Sequence, residues 1–180
     1  RASIPVVGRR PLTAWGITSH GQALAVDLET DETPVEGYFE PSRISATTVE
    51  HHLAIQRLRI KAEHAGWQDW ITGTRLGSCA RNEKRPDAVG IDPTAARVAV
   101  ELERTIKTPK RYAAIMSGYL QAIKRGKYAR VDYVCPTADL AARLQRIIHG
   151  IKAVPVKRER VTLQPQHYRV FRFADMEGWV

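Results

Sequence analysis

The chain has 180 residues, of which 43% are hydrophobic and 26% are charged, a composition that is typical of a folded globular domain and excludes a largely disordered chain. The 28 Lys and Arg residues outnumber the 19 Asp and Glu residues and give a net charge of +9, which favours a polyanionic partner, above all nucleic acid. A generic solvated basic surface is the alternative, which charge alone does not exclude. No apolar run approaches the roughly 18 to 20 residues of a membrane span, so we expect no membrane insertion.

Residues 1–40 are predicted to be separate from the rest. They contain the segment PLTAWGITSHGQALAVD, followed by an acidic, proline-containing stretch that is typical of a linker or an irregular strap. The sequence begins at Arg1 without an initiator methionine or an apolar signal, which we interpret as a piece of a longer protein. Cys79 and Cys135 are far apart and lack the spacing of metal ligands, which favours reduced thiols in a cytoplasmic protein over a disulfide framework.

From Ser45 the apolar spacing predicts a long helix that stops at Gly66, followed by a short strand around residues 70–72. The alternating runs DAVGID and RVAVELER, separated by PTAA, predict a β-hairpin with strands over 87–92 and 97–104. We take residues 41–180 as one mixed α/β domain.

A second helix is predicted after the hairpin, with Thr108 as its N-cap, Pro109 at its first position and Gly126 at its end. The segment YARVDYVCP then predicts a strand, and TADLAARLQRIIHG predicts a helix that stops at Gly150. RVTLQ and YRVFRF supply one or two further strands. The predicted order is therefore helix, two or three strands, helix, strand, helix, strand.

The hairpin carries the most informative acids. Successive side chains of a strand alternate between faces, so Glu101 and Glu103 are predicted to share one face. If residue 92 pairs with residue 97, Asp87 lies opposite residue 102 and diagonal to both glutamates, whereas Asp92 lies at the turn and cannot join them. Carboxylates with a backbone carbonyl, here that of Leu102, are the ligands that Mg²⁺ and Mn²⁺ prefer. Glu-x-Glu alone is a common pattern of solvent-facing strands, so the prediction depends on the combination with RPD and the following TIKTPKRY.

This combination resembles the PD-(D/E)XK nuclease superfamily, over residues 45–136. The resemblance implies a restriction-endonuclease-like core, a mixed sheet flanked by helices. Glu103 stands where most members have lysine, as in the Glu-x-Glu of BamHI-like restriction endonucleases, which leaves open the residue that activates the nucleophile. VEHHLAIQRLR, RPDAV and VAVELERTIKTPKRYAAIMSGY are more closely similar to the MobC class of plasmid mobilisation relaxases. The chain also resembles the replication-relaxation family, in which a winged helix precedes such a domain. PLTAWGITSHGQALA is similar to the last strand and helix of such a winged helix, which would therefore end in residues 1–40.

The resemblance implies metal-dependent DNA nicking at a plasmid origin of transfer during conjugation, with relaxosome accessory or coupling proteins as further partners and an oligomeric state left open. Asp87, Glu101 and Glu103 would bind the metal, and Lys107 is the basic candidate at the scissile phosphate or, equally, a solvated lysine before the helix. Two alternatives remain: a non-catalytic DNA-binding or scaffold module of a relaxosome or replication complex, and an ordinary hydrolytic restriction or repair endonuclease.

Accessory candidates lie on both helices. Glu50 would be an additional acid, although a first-turn surface glutamate favoured by the helix dipole is the simpler interpretation. His52 and the adjacent His51 point about 100° apart on a helix, which favours packing over shared metal binding. Tyr112 and Tyr119 share a helix face, and we favour structural or DNA-contact roles over a covalent nucleophile. The phosphate-contact candidates, each of which is also interpretable as a solvated charge, are Lys110, Arg111, Lys124, Arg125 and Lys127.

Overall fold

The computed structural model describes residues 2–4, 10–14, 20, 46–77 and 83–180. Two compact units comprise Arg1–Leu53 and Ala54–Val180. In the first unit, strands β1 (Ala2–Ile4) and β2 (Leu12–Ala14) pair antiparallel. The predicted boundary at residue 40, the linker and most of the predicted winged-helix remnant lie outside the described residues.

Helix α1 (Ala46–His64) begins in the first unit, and its carboxyl-terminal part belongs to the second. It is followed by the strands β3 (Gln68–Thr72), β4 (Ala88–Ile91) and β5 (Arg97–Leu102) and by helix α2 (Pro109–Lys124). Strand β6 (Arg130–Cys135), helix α3 (Ala138–Gly150), strands β7 (Ala153–Val156) and β8 (Glu159–Thr162), helix α4 (Pro165–Arg169) and strand β9 (Phe171–Asp175) complete the chain.

Five strands form one mixed sheet in the order β3, β4, β5, β6, β9. The pairs β3–β4 and β4–β5 are antiparallel, whereas β5–β6 and β6–β9 are parallel. Ile55, Leu58 and Ala62 of α1 pack on one sheet face, and the apolar sides of α2 and α3 pack on the other. The predicted α/β class, with a mixed sheet between helices, is therefore confirmed.

Helix α2 has the N-cap, the first-position proline and the carboxyl-terminal glycine that the sequence predicts. The Thr108 side chain accepts a hydrogen bond from the backbone N–H of Arg111 at 3.4 Å, and Pro109 opens the helix, where its missing N–H leaves no bond unmade. Gly126 follows the last turn with φ +73°, a conformation that a side chain disfavours. This fixed start determines where α2 places its side chains over the sheet.

The carboxyl-terminal elements differ from the prediction in two places. Strand β7 and helix α4 have no counterpart among the predicted elements, and the predicted strand YRVFRF begins only at Phe171 because Tyr168 and Arg169 belong to α4. A two-stranded sheet separate from the main one joins β7 to β8, which is exposed along its whole length. Strand β7 has only four residues and contains Pro155, so it lacks the alternating run of residues by which a strand is predicted.

Candidate active site

The alternation along β5 sorts its side chains onto the two faces of the sheet. Val98, Val100 and Leu102 point to the core beneath α1, so Glu101 and Glu103 point to the face that α2 covers. Both glutamates are almost completely buried, at 6% and 4% exposure. Buried carboxylates are costly unless they have partners, so the groups around them define the site.

Asp87 lies on the same face as the glutamates, but the predicted pairing of Asp87 with residue 102 was wrong by one residue. The observed register pairs Ala88 with Val100 and Ile91 with Arg97, and its continuation sets Asp87 across from Glu101 rather than residue 102. This difference matters, because a one-residue slip exchanges the two faces of a strand. The Asp87 Oδ2 atom also accepts a hydrogen bond from the Leu102 N–H at 2.8 Å.

A close backbone contact fixes the position of Asp87. The N–H of Gly73, which follows β3, donates to the Asp87 carbonyl oxygen at 2.7 Å. A Cβ atom at position 73 would collide with the carbonyl oxygen of Pro86, so only glycine permits this approach. The Arg-Pro-Asp segment is therefore held against the end of β3 by its backbone.

Glu101 has two hydrogen-bonding partners that differ in character. Tyr119, fully buried on α2, donates its hydroxyl to Glu101 Oε1, and the Lys84 ammonium lies 2.7 Å from the same oxygen. Burial raises the pKa of Glu101 to about 7, and the nearby Asp87 carboxylate adds to the rise, while Lys84 and Tyr119 oppose it. A carboxyl group with this pKa changes its charge near neutral pH.

Glu103 is paired with the lysine that the sequence singled out. The Lys107 ammonium donates to both carboxylate oxygens of Glu103, and the Lys107 backbone N–H donates to the Tyr112 hydroxyl at 3.1 Å. Burial of Tyr112, together with the nearby Glu103 carboxylate, raises the pKa of this tyrosine. Lys107 therefore turns back toward the acids from beyond the end of β5.

Lys84 is the functional candidate that sequence reasoning missed. It lies in an irregular segment before Asp87, where no periodicity indicates the direction of a side chain. The preceding Glu83 anchors this segment, because its carboxylate contacts Lys127 at 2.9 Å and Arg125 at 3.4 Å. The only sequence signal was the presence of a lysine three residues before the Pro-Asp aspartate.

One buried polar atom at the site lacks a partner. Tyr133 of β6 pairs in register with Glu101 of β5. Its hydroxyl has no hydrogen-bond partner in the described part of the chain. Its side chain is buried, and the charges of Glu101, Glu103 and Asp87 contribute to the raised pKa of Tyr133. The hydroxyl therefore has hydrogen-bonding capacity that the described residues leave unused.

The donor chemistry at this face fits a hard divalent cation, since three carboxylates and an unpaired hydroxyl supply oxygen atoms only. Within residues 46–77 and 83–180 and the shorter described segments, however, no three His, Cys, Asp or Glu side chains are grouped so that they could hold a metal ion together. The glutamates instead engage Lys84 and Lys107. A cation at these oxygens would therefore replace lysine contacts, and the role of the Leu102 carbonyl as a ligand stays a prediction.

The two tyrosines of α2 lie next to the acids in the protein interior. Tyr112 and Tyr119 are fully buried, and burial raises the pKa of each well above its ordinary value. A buried hydroxyl with a raised pKa is a poor nucleophile and is not available to DNA in this arrangement. Glu50 and His52 lie in the first unit, on the amino-terminal part of α1, and their accessory roles stay predictions.

The predicted phosphate contacts divide into two groups at opposite ends of α2. Lys110 and Arg111 are exposed in its first turn, whereas Lys124, Arg125 and Lys127 lie at or beyond its last turn. The 14 residues between Lys110 and Lys124 correspond to about 21 Å of helix. Two members of the second group already pair with Glu83, so these five residues do not form one patch.

Comparisons with models of protein families, with curated proteins and with solved structures found no match to this chain. Among the helices that the structure describes, none has the length and apolar character needed to cross a membrane. The functional argument therefore depends on the site itself.

Proposed function

We propose that this protein is a divalent-metal-dependent DNA endonuclease that nicks one strand at a plasmid origin of transfer, as a relaxase of conjugative mobilisation does. One observation carries the proposal: Asp87, Glu101 and Glu103 share one face of the sheet, and Glu101 has a pKa of about 7 in a buried position. Perturbed carboxylates of this kind concentrate at functional sites. The +9 charge of the chain favours a polyanionic substrate.

The fold supports the same proposal. The order α1, β3, β4, β5, α2, β6 is the order expected of a PD-(D/E)XK core, with the acids on the hairpin β4–β5 and the lysine-bearing turn leading into α2. We include in the proposal an upstream winged-helix domain that ends within residues 1–40. Relaxosome accessory or coupling proteins would be the partners of such an enzyme.

Asp87, Glu101 and Glu103 would hold Mg²⁺ or Mn²⁺ once their side chains, which the structure does not group closely enough to share a cation, turn toward one another. When bound, such a cation stabilises the negative charge that builds up on a phosphodiester during displacement and makes a bound water a better nucleophile. With Glu103 on a cation, Lys107, which pairs with Glu103 in the structure, would be the residue whose ammonium holds a phosphate oxygen next to the site. Lys84 is the second cation available for this role. Tyr119 keeps Glu101 in position through its hydroxyl.

A second candidate function is favoured by the lysine contacts. Because Lys84 and Lys107 pair with Glu101 and Glu103, the same face is also suited to a non-catalytic DNA-binding or scaffold module. Such a module would bind DNA without Mg²⁺ and would show no cation-dependent cleavage. The two functions therefore differ in a direct assay.

The test is cleavage of supercoiled plasmid carrying a cognate origin of transfer, with Mg²⁺ or Mn²⁺. We expect a nicked product from the native protein and a loss of about 100-fold or more for Glu101→Ala, because the acid acts where charge develops. Glu63→Ala, which removes an exposed glutamate of α1, is the matched control and should leave the rate unchanged. Calorimetric titration should show weaker Mn²⁺ binding for Glu101→Ala than for the native protein, and unchanged binding for Glu63→Ala.

The alternatives have their own outcomes in this assay. Equal cleavage by native protein and Glu101→Ala would contradict the proposed site. DNA binding without cleavage under any cation would establish the scaffold function instead. Linear product from plasmids without the origin would indicate a hydrolytic endonuclease, and a protein-linked DNA end would require a tyrosine nucleophile.

A further inference from the structure

A groove of about 890 Å³ lies between the first turn of α2, the last turns of α3 and the hairpin β7–β8. Its lining is strongly basic, with six cationic side chains against the single carboxylate of Glu159. All six cations are exposed. They come from four separate parts of the sequence: Lys110, Arg146, Lys152, Lys157, Arg158 and Arg160.

The concentration of charge in this groove needs an explanation. Like charges gathered in one concave surface repel one another, and they focus a positive potential that attracts anions. Glu159 is the single acid among the lining residues and offsets little of this charge. The groove therefore attracts anions.

The hairpin that forms one wall is firmly attached at its base. The Ser117 hydroxyl of α2 donates to the Pro155 carbonyl oxygen, and the Leu163 N–H donates to the Lys152 carbonyl oxygen at 2.8 Å. At the tip, Val156 pairs with Glu159, so Lys157 and Arg158 form a two-residue turn. The cations are thus presented from a fixed frame, which reduces the entropy lost when they bind a partner.

The tip residue Lys157 occupies an unfavourable backbone conformation. Its φ angle is +55°, in the left-handed region where glycine or asparagine is normal at a tight hairpin turn. A lysine here lowers the stability of the hairpin relative to glycine while adding an ammonium group to the groove. Backbone strain that places a charged side chain at an exposed tip is typical of a binding element.

We propose that this groove binds the sugar–phosphate backbone of double-stranded DNA. None of the lining side chains that the structure describes is aromatic, so the groove offers no platform for stacking the bases of a single strand. Its cations match phosphates, which a duplex presents without any base being exposed. This inference rests on the proposed function for its choice of DNA as the anion.

Helix α2 connects the groove to the acidic site. Its first turn directs Lys110 to the groove, while Tyr112, two residues later, is buried beside the Lys107 backbone and Glu103. A duplex held in the groove is therefore held by the same rigid helix that positions the acids. This arrangement assigns the groove to positioning of the substrate, not to its chemistry.

The test is fluorescence anisotropy of a labelled duplex, titrated over a range of salt concentrations in EDTA so that no cleavage occurs. For the triple variant Lys110→Gln, Arg146→Gln, Lys157→Gly we expect affinity to fall roughly 10- to 100-fold, and the slope of log K against log salt to fall by about 2 to 3. The single variant Lys157→Gly should bind several-fold more weakly while its Tm stays the same or rises. A loss of Tm would instead attribute the effect to the fold.

Arg59→Gln is the matched control, because it removes an exposed arginine of α1, which packs on the other face of the sheet. It should change the affinity by less than about twofold, as expected for a charge that makes no phosphate contact. An unchanged salt slope in the triple variant, a loss in Arg59→Gln as large as in Lys157→Gly, or tighter binding of single strands than of duplex would each overturn the inference. Duplex binding without nicking would contradict the proposed function alone, and nicking with unaltered binding in the triple variant would contradict the groove alone.

Discussion

Two groups of buried carboxylates lie in the same sheet, and they have opposite electrostatic properties. On the face toward α1, Arg130 joins Asp92 and Asp132: its Nε lies 2.8 Å from Asp132 Oδ1, and its Nη1 contacts Asp92. Trp179 Nε1 donates to Asp132 Oδ2 at 3.1 Å. On the face toward α2, Glu101 and Glu103 depend on lysines that are themselves partly exposed.

The pKa values follow these environments. Burial alone would raise the pKa of Asp92, but hydrogen bonds from Thr94, Arg130 and the Ala96 backbone hold it well below its usual range. For Glu101 burial prevails, and the pKa is about 7. A carboxylate whose hydrogen bonds outweigh its burial is stable in its charged form, whereas one whose burial outweighs its partners is costly to ionise and gains from a further cation. The first group is therefore structural, and the second is the candidate site.

The largest difference between the groups should appear in stability. Arg130→Met leaves Asp92 and Asp132 buried without their shared cation, so we expect the free energy of unfolding to fall by about 3 to 5 kcal/mol. Denaturant unfolding followed by circular dichroism measures it.

Arg59→Met is the matched control for that measurement, because it removes an arginine from an exposed pair with Glu63, whose side chains are 43% and 46% exposed. A loss of less than about 1 kcal/mol is expected for such a surface pair. The structural assignment of the Asp92 group fails if Arg130→Met costs no more than Arg59→Met.

A smaller difference should appear in the pH dependence of stability. Because the pKa of Glu101 is raised from 4.5 to about 7 in the folded protein, its contribution is full below pH 4.5 and is lost as the pH rises toward 7. The free energy of unfolding of Glu101→Gln minus that of the native protein should therefore be larger at pH 8 than at pH 4.5, by about 1 to 3 kcal/mol. Unfolding curves at both pH values measure this change.

Asp92→Asn should show the opposite behaviour. The lowered pKa of Asp92 contributes stability that is present above its ordinary value of 3.8 and is lost as the pH falls below it. The destabilisation caused by Asp92→Asn should therefore stay constant from about pH 5 to about pH 8, where Asp92 is ionised in both the folded and the unfolded protein. It should become smaller in acid. The same sign of pH dependence for both variants would remove the distinction between the two groups.

The alternation of side chains along a strand and the residues that begin a helix made much of this arrangement predictable from the sequence. Glu101 and Glu103 share a face because strand geometry requires it, and Thr108 with Pro109 set the start of α2. The register of the hairpin β4–β5 was harder to predict from the sequence. Only residues 93–95 form the loop, because the Asp92 N–H pairs with the Ala96 carbonyl oxygen and Ala95 adopts φ +62°, where glycine or asparagine would have been the usual signal.

Other features depend on tertiary contacts that leave no local pattern. Lys84 reaches Glu101 across 17 positions of sequence from an irregular segment, and the cations of the basic groove come from positions 110 to 160. A sequence shows that such charges exist, but packing of α2, α3 and the hairpin β7–β8 decides which of them meet. The partners of the acids were therefore harder to predict than the acids themselves.

The most direct test of the account is the titration of the Glu101 carboxyl group by ¹³C NMR, with Tyr119→Phe as a companion variant. We predict a midpoint near pH 7, which moves to lower pH when Mg²⁺ is added because the cation favours the ionised form. The midpoint should be higher in Tyr119→Phe, since the tyrosine hydrogen bond lowers the pKa of Glu101. A midpoint near the ordinary 4.5 that Mg²⁺ does not move would contradict the claim that Glu101 is held ready for a cation.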